Sequence, residues 1–327
     1  MDKRTISRWS ALVVGIGKAF RMSWVIVLVA ACALSFSHGE SPGKPEFVSL
    51  LGRPLFASPP GGNSAKLEAN LAAARAELQV DPNNPVKIVW VGRRLGYLWR
   101  VHDAIEVYSK GIEAHPAYAP LYRHRGHRYI TLRQFDRAAA DLERAAALIE
   151  GKADEVEEDG QPNARNIPLT STAFNVWYHL ALARYLQGDF EAALRGWRET
   201  LKHCRGYDDN VVAVTDWMYM TLRRLGREAE AAALLGNIKP GWEMIENTAY
   251  YRRLLMYKGL LQPDELLKIE NAGELDVATY GYGVGNWHLY NGDRARAIEV
   301  FERVAAGPYW PAFGYVSAEV ELARLRK

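Results

Sequence analysis

The chain has 327 residues, 49% of them hydrophobic and 24% charged. That balance excludes wholesale disorder and a protein that crosses a membrane many times. Five of the 41 basic residues (Lys3, Arg4, Arg8, Lys18, Arg21) and one of the 38 acidic ones (Asp2) lie within the first 31 positions, so the rest carries 36 basic and 37 acidic residues. A near-neutral body gives no electrostatic reason to bind nucleic acid. Two cysteines, Cys32 and Cys204, exclude a disulfide framework and a Cys-only zinc site.

The first feature along the chain is an address. After the basic lead, residues 22–31 (Met-Ser-Trp-Val-Ile-Val-Leu-Val-Ala-Ala) form an unbroken apolar run. Even extended to Phe36 it is shorter than the roughly 20 residues a spanning helix needs. Basic lead, short apolar stretch and small residues together read as a secretory signal over residues 1–37. Val29-Ala30-Ala31-Cys32 resembles a bacterial lipobox, which implies lipid on Cys32, with Val29 where that pattern prefers leucine. Cleavage after Ser37 to a soluble form and retention as an uncleaved anchor are the two other readings, and Met22 is an alternative start. All of them put the body outside the cytoplasm, in the periplasm or anchored and facing it. Residues 38–64, rich in Gly, Pro and Ser, read as a flexible linker from which Val48–Leu51 and Pro54–Phe56 could dock.

From residue 65 the pattern turns helical and repeats itself. Asp103-Ala104-Ile105 with Tyr108 recurs 34 positions on as Arg137-Ala138-Ala139 with Leu142, and Gly92 recurs as Gly126. Six units start near 85, 119, 174, 212, 245 and 278; the unit near Ile245 is degenerate because Gln262-Pro263-Asp264 interrupts its turn. Small residues at the eighth and twentieth places (Gly92 and Ala104, Gly126 and Ala138) let paired backbones approach. Large ones such as Trp177 and Trp197 fill the gaps between pairs. Over about three quarters of its length the chain resembles tetratricopeptide (TPR) repeat proteins. The resemblance implies an all-α, right-handed helical-hairpin solenoid over 65–327, with helices over Ala65–Gln79 and Ala312–Leu325 as terminal caps. The second of these ends in Arg-Leu-Arg-Lys, suited to a polar outer face.

One break in the period stands out. Units two and three start 55 residues apart, and the surplus, residues 151–171, holds Asp154-Glu155-Val156-Glu157-Glu158-Asp159-Gly160 followed by a proline-flanked stretch, Asn163–Pro168. Val156 occupies a place where a calcium loop needs oxygen, so the acidic half reads as a solvated loop. The second half is stiff enough to lie across a groove.

In TPR arrays the first helix of each pair lines the concave face. Carried onto this sequence, its places give Arg93, Tyr97, Arg123, His127, Asn175, Tyr178 and Tyr185, then Asp216, Arg223 and Arg224, and finally Glu246, Arg253, Tyr257, Tyr282, Asn286 and Tyr290. Arginine and tyrosine are the residue types of binding hot spots, and planar guanidinium groups suit carboxylates. An acidic segment or a free C-terminus of a protein or peptide partner is therefore the expected ligand, with a solvated, ligand-free face as the plainer reading. Arg123 and His127 stand where a carboxylate clamp would carry Lys and Asn, so the family's chaperone-tail specificity does not transfer. His124 and His127 share a helix face without a third metal ligand; Gly285 reads as close helix packing, as do Gly281 and Gly283, for which close approach of a ligand is the alternative. No nucleophile elbow, zinc-protease motif, phosphate loop or Cys-x-x-Cys is present. The sequence thus points to a non-catalytic, cofactor-free scaffold. The alternative is an envelope glycan binder or hydrolase using groove tyrosines with Asp216 or Glu246 as acids.

Overall fold

The structure, a computed structural model, describes residues 44–59, 63–269 and 272–326. The signal, lipobox and Cys32 readings lie outside the described residues. A two-strand ribbon, β1 (Phe47–Val48) and β2 (Pro54–Leu55), precedes α1 (Ser64–Val80). Helices then follow in pairs: α2 (Pro85–Tyr97) with α3 (Val101–Ala114), α4 (Ala119–Thr131) with α5 (Phe135–Ile149), and α6 (Thr172–Gln187) with α7 (Phe190–Leu201). Next come α8 (Asp208–Arg224) with α9 (Glu228–Leu235), α10 (Thr248–Tyr257) with α11 (Pro263–Leu266), and α12 (Glu274–Tyr290) with α13 (Arg294–Ala306), before α14 (Phe313–Leu325). Apart from α9, each helix packs on its successor, and first helices also pack on one another, α2 on α4, α4 on α6, α8 on α10 and α10 on α12. This is the helical-hairpin solenoid that the 34-residue period predicts. Among the described residues no helix is long and apolar enough to cross a membrane.

Local chemistry sets the turns. Asn84 caps α2 by accepting from the Val86 and Lys87 amides, with Pro85 at the position where a missing N–H costs nothing. Gly188 (φ 89°) closes α6 in the left-handed region, and Asp189 opens α7 by accepting from the Ala192 amide; Gly292 and Asp293 repeat this between α12 and α13. In the degenerate fifth unit Pro263 and a reciprocal Gln262–Glu265 cap confine α11 to a single turn.

Residues 44–59 dock on the body, the course left open for Val48–Leu51 and Pro54–Phe56: Glu46 accepts from the Val101 and His102 amides and so caps α3, Phe47 packs 5.5 Å from Trp310, and Trp310 donates to the Phe56 carbonyl. The C-terminal helix differs from its sequence reading as a cap with a polar outer face. Gly314 to Leu322 of α14 are buried without a break, because Glu319 and Glu321 turn toward arginines of earlier units instead of toward water. Arg133, after α4, donates to Glu319 at 2.9 Å, Arg224 of α8 lies 2.9 Å from Glu321, and Arg324 donates to the Leu186 carbonyl at the end of α6. The helix ties together first helices from three units.

Candidate functional site

The inner face has two halves. In the N-terminal half α2 and α4 present the arginines. Arg93 and Tyr97 are neighbours one turn apart, with Arg93 Nη2 3.3 Å from the Tyr97 hydroxyl and both Arg93 and Arg94 over the Trp90 ring at 4.4 and 4.8 Å. The inserted segment lies on this wall. Glu157 pairs with Arg123 at 2.9 Å, the Glu158 carbonyl accepts from Arg93 at 2.8 Å, and the Gly160 carbonyl accepts from Arg94 at 2.8 Å. Gly160 is pressed so close to the Tyr97 ring that a Cβ there would overlap it. The backbone is held extended by a Val156–Ser171 bridge and by bonds between Glu157 and Thr170 and between Thr172 and Glu155. The acidic half of the insertion is therefore tethered: Asp154, Glu155 and Glu158 stay exposed, as in a solvated loop, while the Glu157 carboxylate and two backbone carbonyls hold it to three arginines of the wall. Its second half crosses to the other units, where Asn163 donates to Glu246 and the Leu169 carbonyl accepts from Asn210 of α8.

Beneath the loop is a histidine cluster. His127 lies 4.5 Å from His179, and Phe313 of α14 sits 5.2 and 5.5 Å from the two rings. His124 instead stacks on Tyr108 and meets Arg123 at 2.8 Å. Burial pushes His124, His127 and His179 well below the usual imidazole range, and the neighbouring arginines push the same way. His124 and His127 do not converge, and among the described residues no group of three or more His, Cys, Asp or Glu is placed to hold a metal.

In the C-terminal half the predicted ligand residues are spent on one another. Asp216 and Arg253 form a pair at 2.8 Å with neither side chain exposed. Burial lifts the Asp216 carboxyl to about 7 although Arg253 pulls it down. Arg253 also donates to the Thr279 carbonyl, and the absence of a Cβ at Gly283 makes room for its guanidinium. Tyr282 meets Tyr185 hydroxyl to hydroxyl at 2.7 Å, Asn286 donates to Tyr185, and Arg224 donates to Asn286. Tyr178, Trp197, Trp217, Tyr282 and Phe301 pack as a chain of rings 5.2–5.9 Å apart through the middle of the molecule. Asn175 donates to Thr170, Tyr257 stacks on Tyr219 at 4.3 Å, and Arg223 donates to Asn291 while covering the Tyr290 ring.

The structure thus gathers Arg93, Tyr97 and Arg123 around the inserted segment, while His127 packs against His179 and Phe313. It encloses Asp216, Arg253, Tyr282 and Asn286 where no substrate reaches, which removes Asp216 from any acid role in a hydrolase. Sequence reasoning missed Arg94, whose place in the repeat is not a groove place, and Arg128, which is half-buried on the same wall with no ion pair among the described residues. Their signal was present but not unique: Arg93-Arg94 and Arg123 to Arg128 are cation clusters on first helices, as are Arg223-Arg224 and Arg252-Arg253.

No family model matches the chain, and no curated protein matches its sequence. Solved structures with a similar course include YrrB, a TPR protein with an unusual peptide-binding site, at 14% identity over 72% of this chain and 92% of that one, with a TM-score of 0.41. A tetratricopeptide repeat protein from Parabacteroides merdae is similar at 13% identity over 80% of this chain and 94% of that one, TM-score 0.46. MamA is similar at 16% identity over 61% and 94%, TM-score 0.40.

Proposed function

We propose that this protein is a non-catalytic interaction scaffold, exported from the cytoplasm and held at a membrane through its N-terminus, that binds an extended acidic segment of a partner protein along α2 and α4. One observation carries the reading: the wall formed by Arg93, Arg94 and Arg123 already holds an extended acidic strand, the chain's own residues 155–160. Carbonyls of that strand accept from two arginines and a carboxylate meets the third, which is how a partner strand of similar composition would be read. The inserted segment then acts as the resident occupant that a partner displaces. The export half of the reading rests on the basic lead, the apolar run and Cys32.

The test uses a fluorescent peptide copying residues 152–162 and a full-length variant whose own strand is neutralised (Glu157→Gln, Glu158→Gln, Asp159→Asn). That variant should bind the peptide at least tenfold tighter than the native chain does, and affinity should fall as salt rises. Adding Arg93→Ala and Arg123→Ala should abolish binding with little change in the melt. Equal binding with and without the two arginines would defeat the proposal. Intact mass of the native protein reads the state of Cys32 directly, and an unprocessed, unlipidated cytoplasmic chain would remove the location.

A further inference from the structure

A second recessed surface lies outside the inner face. Where the insertion separates units two and three, a cleft of about 920 Å³ opens between the C-terminal ends of α5 and α7 and the N-terminal ends of α4 and α6. That volume falls in the range of about 300–1,000 Å³ typical of ligand sites. Small residues, Ala146 and Ala147 of α5 and Gly151 and Ala153 of the insertion, leave much of its wall low. Its floor is apolar: Trp177 and Leu180 of α6, Leu148 and Ile149 at the end of α5, and Pro120 at the start of α4.

The rim carries one sign of charge. Glu143, Glu150, Asp154, Glu155 and Glu199 border the cleft, against Lys152 as its one permanently cationic lining residue. Three of the five are engaged, Glu143 by Arg184, Glu199 by Lys202, and Asp154 by the Ala173 amide and His203. Glu150 and Glu155 are exposed and make no ion pair among the described residues. An apolar floor beside unneutralised carboxylates is complementary to a chain that alternates apolar anchors with cations, and it rejects an acidic one by like-charge repulsion. Trp177 adds a ring face on which a guanidinium can rest.

We infer that this cleft is a docking site for a basic, apolar-anchored peptide segment of a partner protein. It is a second recognition surface, opposite in charge preference to the arginine wall and independent of it. The partner's aliphatic or aromatic side chains occupy the floor between α5 and α7, and its Lys or Arg side chains pair with Glu150 and Glu155. Both surfaces border the same insertion, which leaves the cleft through Asp154 and Glu155 and reaches the wall at Glu157.

The experiment uses the full chain and two labelled twelve-residue probes, alternating leucine–arginine and alternating leucine–glutamate, read by fluorescence anisotropy. The leucine–arginine probe should bind the native protein at least tenfold tighter than its acidic counterpart. Reversing the two free carboxylates (Glu150→Lys with Glu155→Lys) should weaken it at least tenfold. Filling the cleft with Ala147→Trp, at an exposed position and without a change of charge, should do the same. Arg93→Ala with Arg123→Ala should leave this probe unaffected, which separates the cleft from the proposed groove. The inference falls if the native chain does not bind the basic probe, or if either the reversed or the filled variant binds it within twofold of native while retaining its helical melt.

Discussion

The two halves of the inner face are built from the same residue types, Arg and Tyr on the first helix of each pair, and they have opposite fates. In the C-terminal half Arg253 and Asp216 are completely enclosed, Tyr185 and Tyr282 bond to each other, and α14 closes over the helices. In the N-terminal half Arg93, Arg94 and Arg128 keep part of their surface in water, and what covers them is a loop whose Glu158 is itself exposed. The difference lies in who supplies the anion. Carboxylates on packed helices bring Arg253 and Arg133 into the dry interior, whereas loop carbonyls leave Arg93 and Arg94 at the boundary with water; Arg123, paired with the loop's Glu157, is buried beneath them. Burial, more than residue type, separates a structural arginine from one available to a guest.

The sharpest break of this comparison is Arg253→Met. It leaves the Asp216 carboxylate without a partner in an interior that excludes water, and loss of one member of a buried pair costs about 3–5 kcal/mol. Urea denaturation should show that loss, and Asp216→Leu added to Arg253→Met should restore most of it, since two apolar groups need no partner. Arg93→Met should cost less than about 1 kcal/mol, as expected for a pair near the surface. A comparable loss at both arginines would erase the distinction.

Acid should separate the halves next. His124, His127 and His179 are held neutral in the fold but take up protons near the ordinary value of about 6.5 once unfolded. The unfolded state therefore binds more protons below that pH, and stability falls as pH drops, by at most about 1.4 kcal/mol per unit for each histidine. Asp216 works the other way: with its folded value near 7 and its unfolded value near 3.9, the folded state binds the extra proton across that window and gains from acid. Between pH 7.5 and 5.5 hydrogen exchange should show α4 losing protection while α8 and α10 keep theirs. Parallel loss in all three would refute the assignment.

Packing of the repeat frame gives a smaller effect. A Cβ at Gly126 would lie 2.8 Å from Leu142 and 3.3 Å from the Ala138 carbonyl, a backbone atom that cannot step aside. Gly126→Leu should lower stability by about 1–3 kcal/mol through overpacking, visible as a lower Tm. An unchanged Tm would mean that α4 and α5 are not pressed together at this place.

This packing explains how much of the molecule was legible. The eighth and twentieth places demand small residues wherever two helices meet closely, so Gly92, Gly126, Ala104 and Ala138 show the hairpins without any coordinates. The destination of α14 was hidden because Glu319 and Glu321 look like a solvated face until Arg133 and Arg224 are found, the first 186 residues away. The helix did carry one cue: Phe313 to Leu322 holds apolar or small residues at eight of ten positions, more than a one-sided helix needs. The landing place of the acidic insertion was hidden for the same reason. Asp154 to Asp159 reads as a charged, water-loving run, and nothing local reveals that Arg93, Arg94 and Arg123 converge where it lands. Charge partners distant in sequence decide exposure, and a single sequence does not pair them.

The smallest expected effect bears most directly on binding. Glu157→Gln keeps the shape of the side chain and an oxygen for Arg123 to reach, but exchanges a charge-assisted hydrogen bond for a neutral one. That difference is worth about 1 kcal/mol, set against the several kcal/mol expected for the enclosed pair. Most of the stability should therefore survive. What should change is the loop: exchange at residues 155–160 should quicken while α2 and α4 keep their protection. A strand that lifts without loosening its platform is one that a partner strand can replace. If exchange in α2 and α4 rises together with the loop, residues 155–160 are part of the core, and the N-terminal half is as closed to a guest as the C-terminal one.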